Sequence, residues 1–360
     1  MQPRFYALDA LRGLAIALMI LVNTPGSWSH VYPPLLHADW HGFNAADLVF
    51  PLFLFAVGAA MAFSMQGQTL NQSSLLKVAK RTVLLLSCGL LLHWFAVLSL
   101  TELRLPGVLQ RIALCYGLAA VLILGLKQRA LVGCCVGLLL LYWALLVSFA
   151  SGTPYTLSGN AVQRLDLWLF GAAHLYQGYG IPFDPEGLLS TLAALSSTLI
   201  GYLVASHLRL LINIQRMRWL SCWGSGLVVA GLLWHIVWPL NKALWTGSYV
   251  LFSSGLILLL LALLVYLLDI KPQRWLQPLV VYGTNPLFIY MLSWLWVICA
   301  SQYLVWQYDG AALSLYQAGF NGLAAVLSPR LASLLFALLH VALFWMLSQW
   351  LYKRKIFIRL

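Results

Sequence analysis

His37, Asp39 and His41 alternate in the stretch LLHADWHGFNAADLVFP, residues 35–51, and Asp47 follows on the threshold of an apolar run. In an extended segment alternate positions share one face. Two imidazoles and a carboxylate on one face suit a metal ion, or proton transfer near neutral pH. The three lie very close in sequence and no fourth ligand is evident, so no metal is expected. Asp47 falls in the first turn of the next helix, where a carboxylate caps free N–H groups and opposes the positive helix end. Asp39 and Asp47 are also candidates for binding a substrate.

The elements that must hold these groups are apolar. The chain has 360 residues, 62% hydrophobic and only 8% charged, which excludes an ordinary soluble domain. Runs near the roughly 20 residues needed to cross a bilayer fall at 7–26, 45–66, 80–100, 107–126, 130–150, 187–208, 219–239, 247–268, 284–304 and 331–352. The expectation is an all-α polytopic membrane protein with about ten transmembrane helices in one bundle. A weaker stretch at 311–327, with Gly319, Asn321 and Gly322, reads as an interfacial or partly buried segment. No linker, charge block or repeat divides the chain, so residues 1–360 are read as one domain. The first run lacks a signal-peptide cleavage site and is expected to remain a helix. The six cysteines sit mostly inside apolar runs without zinc-ligand spacing and read as packing residues.

Lys and Arg set the orientation. Of 21, sixteen fall on one set of helix ends, from Arg4, Arg12, Lys77, Lys80 and Arg81 to Lys353, Arg354, Lys355 and Arg359, against Arg104, Arg111, Arg164, Lys242 and Arg330 opposite. Both termini are therefore expected in the cytoplasm. The net charge of +12 is a topology signal and gives no reason to invoke nucleic acid. Asp39, Asp47, Glu102, Asp166, Asp184, Glu186 and Asp309 fall on the outer side, so the outer loops hold the unusual chemistry.

Several outer groups carry two readings each. Asp184 and Glu186 in FDPEG precede the sixth span and either cap it or bind an acceptor, Asp184 by taking hydrogen bonds from sugar hydroxyls or attracting an ammonium. His174, Tyr176 and Gln177 form a polar, aromatic lining suited to a sugar, with Tyr176 also fit to anchor at the interface. Asn241 and Lys242 are expected near the same cavity. Gln110 and Arg111 are expected to pair with Glu102 or an outer aspartate. His93 and His340 read as lone histidines bonding a neighbouring helix. Gly283–Pro286 reads as the broken helix of a permease or as an N-cap and first turn.

The run RFYALDALRGLAIALMILVNTPGSW followed by LLHADWHGFNAADLVFPLFLFAVG resembles the transmembrane acyltransferase family that includes heparan-α-glucosaminide N-acetyltransferase. LRLPGVLQRIALCY, RLDLWLFGAAHLYQ, FDPEGLLSTL, NKALWTGSYVL and GTNPLFIY extend the resemblance in order across nearly the whole chain. It is also similar to the bacterial branch linked to N-acetylglucosamine use. The resemblance implies acetyl transfer from cytosolic acetyl-CoA to an amino sugar or glucosaminide outside the bacterial inner membrane, and a homodimer. It places the catalytic histidine at His37 in HADWHG, as base or transient acyl carrier; His41 departs from the family pattern. Asn23 matches the family asparagine that supports the reaction and the donor. Arg12, eleven residues earlier and roughly 16 Å along a helix, could meet the CoA phosphates with pantetheine bridging the gap. The alternative is a sugar or amino-sugar permease; a silent scaffold is a third reading.

Overall fold

A computed structural model describes residues 5–308 and 310–358. Arg4, Asp309 and Arg359, three charges used to assign sidedness, lie outside them. The helices are α1 Tyr6–Asn23, α2 Val49–Ser64, α3 Gln72–Val97, α4 Val108–Gly125, α5 Gln128–Ser148, α6 Ala161–Phe170, α7 Thr191–Leu208, α8 Asn213–His235, α9 Gly247–Leu264, α10 Gln277–Tyr282, α11 Pro286–Ile298, α12 Leu315–Ala324 and α13 Pro329–Lys353. Among the described residues, eight helices are long and apolar enough to cross a membrane. Each expected segment falls on a helix. The two outside the eight, α3 and α8, start earlier than their apolar runs and take Lys77, or Arg216 and Arg218, into the helix, Lys80 and Arg81 already lying in the run of α3. Long basic side chains there can reach headgroups while their stems stay apolar.

The chain gathers into two compact units. The first comprises residues 1–37, 44–50 and 267–360. In it α1 packs on α10 and α13. Gly13 and Gly283 set the α1–α10 crossing: a Cβ on Gly13 would overlap the carbonyl of Leu279, and one on Gly283 the carbonyl of Asp9. Small residues permit such close helix approach in membranes. The break between α10 and α11 is a stop and restart, with Pro286 opening α11. Buried Asn285 donates from Nδ2 to the carbonyl of Ile356 at 3.0 Å and accepts the N–H of Ile358 at 2.7 Å. Its amide thus holds the C-terminal segment, and the break lends no support to a permease.

The 311–327 stretch is more structured than expected. Strands β1 Val305–Tyr308 and β2 Ala311–Ser314 pair antiparallel, Val305 opposite Ser314. Ser314 Oγ then accepts the N–H of Gln317 at 3.2 Å and starts α12. β-Branched and aromatic residues favour the strand, and a serine at the N-cap favours the helix. Tyr316 donates its hydroxyl hydrogen to the carbonyl of Pro25 at 2.7 Å, tying α12 to the chain just past α1.

The second unit comprises residues 38–43 and 51–266. In it α3 packs on α4, α5 on α7, and α8 on α9. Gly58 lies against the backbone of Thr198, and Gly201 against that of Phe55, so α2 and α7 cross nearly backbone to backbone. Asp166, Asp184 and Glu186 all lie between the end of α5 and the start of α7.

Candidate active site

In the first unit, the short turn Ala45–Leu48 leads into α2 and buries Asp47, whose side chain is 1% exposed. Both carboxylate oxygens are engaged. Oδ2 accepts the backbone N–H of Asn44 at 2.8 Å, the capping role expected for an acid in the first turn. Oδ1 lies 2.7 Å from Nδ1 of His37, whose side chain is 45% exposed. Asn44 also donates from Nδ2 to the carbonyl of Leu36 at 3.0 Å, fixing the residue before the histidine.

This pairing fixes the chemistry of the ring. An ionised carboxylate only accepts, so Nδ1 of His37 must carry the hydrogen that it donates, and in the neutral ring Nε2 holds a lone pair. A carboxylate on Nδ1 also stabilises the imidazolium that forms when Nε2 takes a proton. The arrangement can pass a proton through Nε2 of His37, while Asp47, with an oxygen on each of two protein donors, holds the ring from the Nδ1 side.

Two other expected residues lie in this unit. Asn23 is the last residue of α1 and is exposed. Arg12 pairs with Asp9 one turn earlier, and its Nε is buried with no hydrogen-bond partner among the described residues.

The remaining candidates lie in the second unit. Asp39 is exposed. Around it the 38–43 segment is fastened: Trp40 Nε1 donates to the carbonyl of Tyr155 at 2.7 Å, the N–H of Gly42 to that of Leu240 at 2.9 Å, and Phe43 packs on Tyr249 and Phe252. His41 Nδ1 lies 3.4 Å from the amide of Asn241, and burial, reinforced by nearby His235, holds its pKa below the ordinary histidine value. Asn241 is buried and accepts the N–H of Leu244 at 2.7 Å; Lys242 beside it is half-buried. Among the described residues, no three His, Cys, Asp or Glu side chains gather around a point where a metal ion could sit.

Asp184 and Glu186 are drawn together by a residue that the sequence did not single out. Arg104 donates from Nε and Nη2 to the two oxygens of Asp184, each at 2.8 Å, and from Nη2 to Glu186 at 2.6 Å. Burial alone would raise the Asp184 carboxyl, but Arg104 and the N–H groups of Glu186 and Tyr176 hold it below the usual carboxylate range. The same two acids push the guanidinium of Arg104 upward against its own burial. The expected acidic pairing of Arg111 is not what forms. It donates instead to the carbonyl of Gly187 at 2.9 Å and to Ser190, and its guanidinium lies over Trp245. The available signal was that Arg104 is one of few cations expected on the same side as the two acids of FDPEG. His174 donates from Nδ1 to the carbonyl of Leu103 at 2.7 Å, which in the neutral ring leaves the lone pair on Nε2. Asp166 is buried; burial lifts its carboxyl to about 7, opposed by the Leu188 N–H on Oδ1 and reinforced by Asp184.

The fold and the His37–Asp47 pair define a multi-pass α-helical membrane protein with a carboxylate-oriented histidine at the head of an apolar helix. Residues 4–168 match the family described as "Heparan-alpha-glucosaminide N-acetyltransferase, catalytic". Heparan-alpha-glucosaminide N-acetyltransferase of Homo sapiens is 27% identical over 81% of this chain and 53% of its own length. The Mus musculus protein of the same name is 27% identical over 80% of this chain and 53% of its own. The chain is thus similar to heparan-alpha-glucosaminide N-acetyltransferases, the resemblance its sequence suggested, and spans about half the length of the curated relatives it matches.

Proposed function

We propose that the protein is a transmembrane acetyltransferase that moves an acetyl group from cytosolic acetyl-CoA to the amino group of a glucosamine or glucosaminide on the outer side of a bacterial inner membrane. The observation that carries the reading is the 2.7 Å contact between His37 Nδ1 and buried Asp47, which in the neutral ring places the imidazole's lone pair on Nε2. The names of the relatives supply the acceptor class, and family resemblance supplies acetyl-CoA.

In this reading the acceptor amine attacks the thioester carbonyl directly. His37 Nε2 takes the proton that the nitrogen sheds as the C–N bond forms, and Asp47 holds the resulting imidazolium. The C–S bond then breaks, and the imidazolium returns its proton to the departing thiolate. Asn23, at the exposed end of α1, supplies an amide to hold the carbonyl or the pantetheine. Nearer the start of the same helix, Arg12, paired with Asp9, faces the CoA phosphates, with its buried Nε, unbonded among the described residues, as the supporting observation. His174, Lys242, Asp39, Asp184 and Glu186 belong to the acceptor side, the last two by holding the loop around them. Both termini lie in the cytoplasm in this arrangement, and the working assembly is a homodimer.

The test uses purified protein in sealed vesicles, with labelled acetyl-CoA on the cytoplasmic face and methyl glucosaminide on the other. Acetylated product from the wild type and at least a hundredfold less from His37→Ala is the expected result. Undiminished product from His37→Ala, or none from the wild type with any amino sugar, refutes it.

A further inference from the structure

Within the second unit, the loop Tyr176–Phe183 closes on itself: the N–H of Phe183 donates to the carbonyl of Tyr176 at 3.1 Å, and that of Gly180 to the carbonyl of Gln177 at 3.1 Å. Gly180 sits at φ +77°, the left-handed backbone that favours glycine. The closed loop sets four aromatic rings edge to face. Tyr179 meets Tyr176 at 6.0 Å, Phe183 at 5.4 Å and Trp40 at 5.8 Å between ring centres, and Trp40 meets Phe183 at 5.3 Å. Phe183 is buried, Trp40 and Tyr179 are half-buried, and Tyr176 is 41% exposed.

Tyr176 is held more firmly than an exposed tyrosine needs to be. The guanidinium of Arg104 lies 4.8 Å from its ring centre, and the Tyr176 N–H donates to Asp184 at 3.2 Å. Gly178 packs so closely on the ring that a Cβ there would overlap it. A ring fixed on several sides before any ligand arrives loses little freedom on binding. Behind it, Arg104 is shared by two carboxylates, leaving one net negative charge.

We propose that this aromatic wall, with Tyr176 as its exposed ring, is the surface against which the acceptor's sugar ring rests, the excess negative charge behind it favouring an ammonium-bearing sugar over a neutral one. The proposal rests on the acetyltransferase reading for the acceptor's class, but its chemistry is separate. Sugar C–H groups carry partial positive charge and settle against electron-rich ring surfaces. An ammonium gains further from tyrosine rings and from the acidic pair. Interfacial anchoring is the competing role for exposed tyrosines in a membrane protein, and it requires neither the Arg104 clamp nor the closed loop.

The experiment is ligand-observed saturation-transfer NMR with methyl α-D-glucosaminide on the whole protein in lipid nanodiscs, without acetyl-CoA. Transfer to the sugar ring protons is expected in the wild type and in Tyr176→Phe. Tyr176→Ala should weaken binding about tenfold, the equivalent of about 1.4 kcal/mol. Where the alanine variant fails to fold, Tyr176→Leu keeps bulk without the π surface and should show the same loss. Equal transfer in the alanine or leucine variant, or none in the wild type, overturns the proposal and leaves the rings as interfacial anchors. Because no acetyl donor is present, binding lost with Tyr176 in a protein that acetylates nothing keeps the wall and sinks the transferase. Acetylation with binding indifferent to Tyr176 does the reverse.

Discussion

Replacing Asp47 with asparagine is the most discriminating perturbation of the proposed base. Asparagine preserves shape and can still cap α2, but its amide has one accepting and one donating end. If its oxygen stays on the Asn44 N–H, where Oδ2 now accepts at 2.8 Å, its NH2 group faces Nδ1 of His37, where Oδ1 now lies at 2.7 Å. Two donors cannot meet there, so the imidazole must move its hydrogen to Nε2, and the lone pair needed for the amine proton is lost. In hydrolases built on a carboxylate–histidine pair, the equivalent change lowers kcat about 10⁴-fold through the wrong tautomer. His37 is half-exposed here, and water can partly replace the carboxylate, so a fall of about 10³-fold in kcat is expected, about 4 kcal/mol of barrier. KM for either substrate should change by less than about threefold, since Asp47 is 1% exposed and touches neither in this scheme. The assay is steady-state acetyl transfer in detergent or nanodiscs, with thermal melting of the same sample to check the cap. A variant that melts like the wild type and keeps kcat within about threefold would refute the assignment of Asp47 as the group that orients His37.

Two further outcomes concern the buried charges of the second unit. Arg104→Met strands Asp184 and Glu186, both buried, without their cation; a loss of about 3–5 kcal/mol is expected, read as a fall in melting temperature that Arg104→Lys partly restores. Asp166 has its carboxyl lifted to about 7 by burial, so the folded state binds a proton that the unfolded chain releases near pH 4. Its contribution to stability is fully present below that lower value and is lost as pH rises through about 7. Melting curves from pH 4 to 8 should therefore show a component that declines with rising pH and disappears in Asp166→Asn; an unchanged slope would remove Asp166 as its source.

The helices were legible because apolar runs near bilayer length leave few other structures open to the backbone. His37 stood out as a polar group in a chain that avoids charge, and Asp47 as an acid in a first turn. That the two touch was not legible, because ten residues separate them and the bond depends on how Asn44 and Leu36 fold the intervening loop. Arg104 and Asp184 are 80 residues apart, and no periodicity links such positions. Arg111 drew attention because it lies inside an apolar run, yet its partners are a carbonyl and a hydroxyl, groups that composition cannot rank. The hairpin at 305–314 was not legible because four-residue strands carry little alternation, and an apolar stretch beside a glycine reads equally well as interface.

The double engagement of Asn44 bears on how sequence changes at this position should be judged. Serine is as good a helix cap as asparagine on any propensity scale, so exchange of one for the other would pass as conservative in a comparison of relatives or a screen of variants. Serine can leave the backbone N–H on Asp47 untouched, but it has no amide to reach the carbonyl of Leu36. The helix would begin where it does now while the histidine's approach to its carboxylate went slack. A neutral score at position 44 would then conceal a defect of timing and aim in a protein whose stability had not changed.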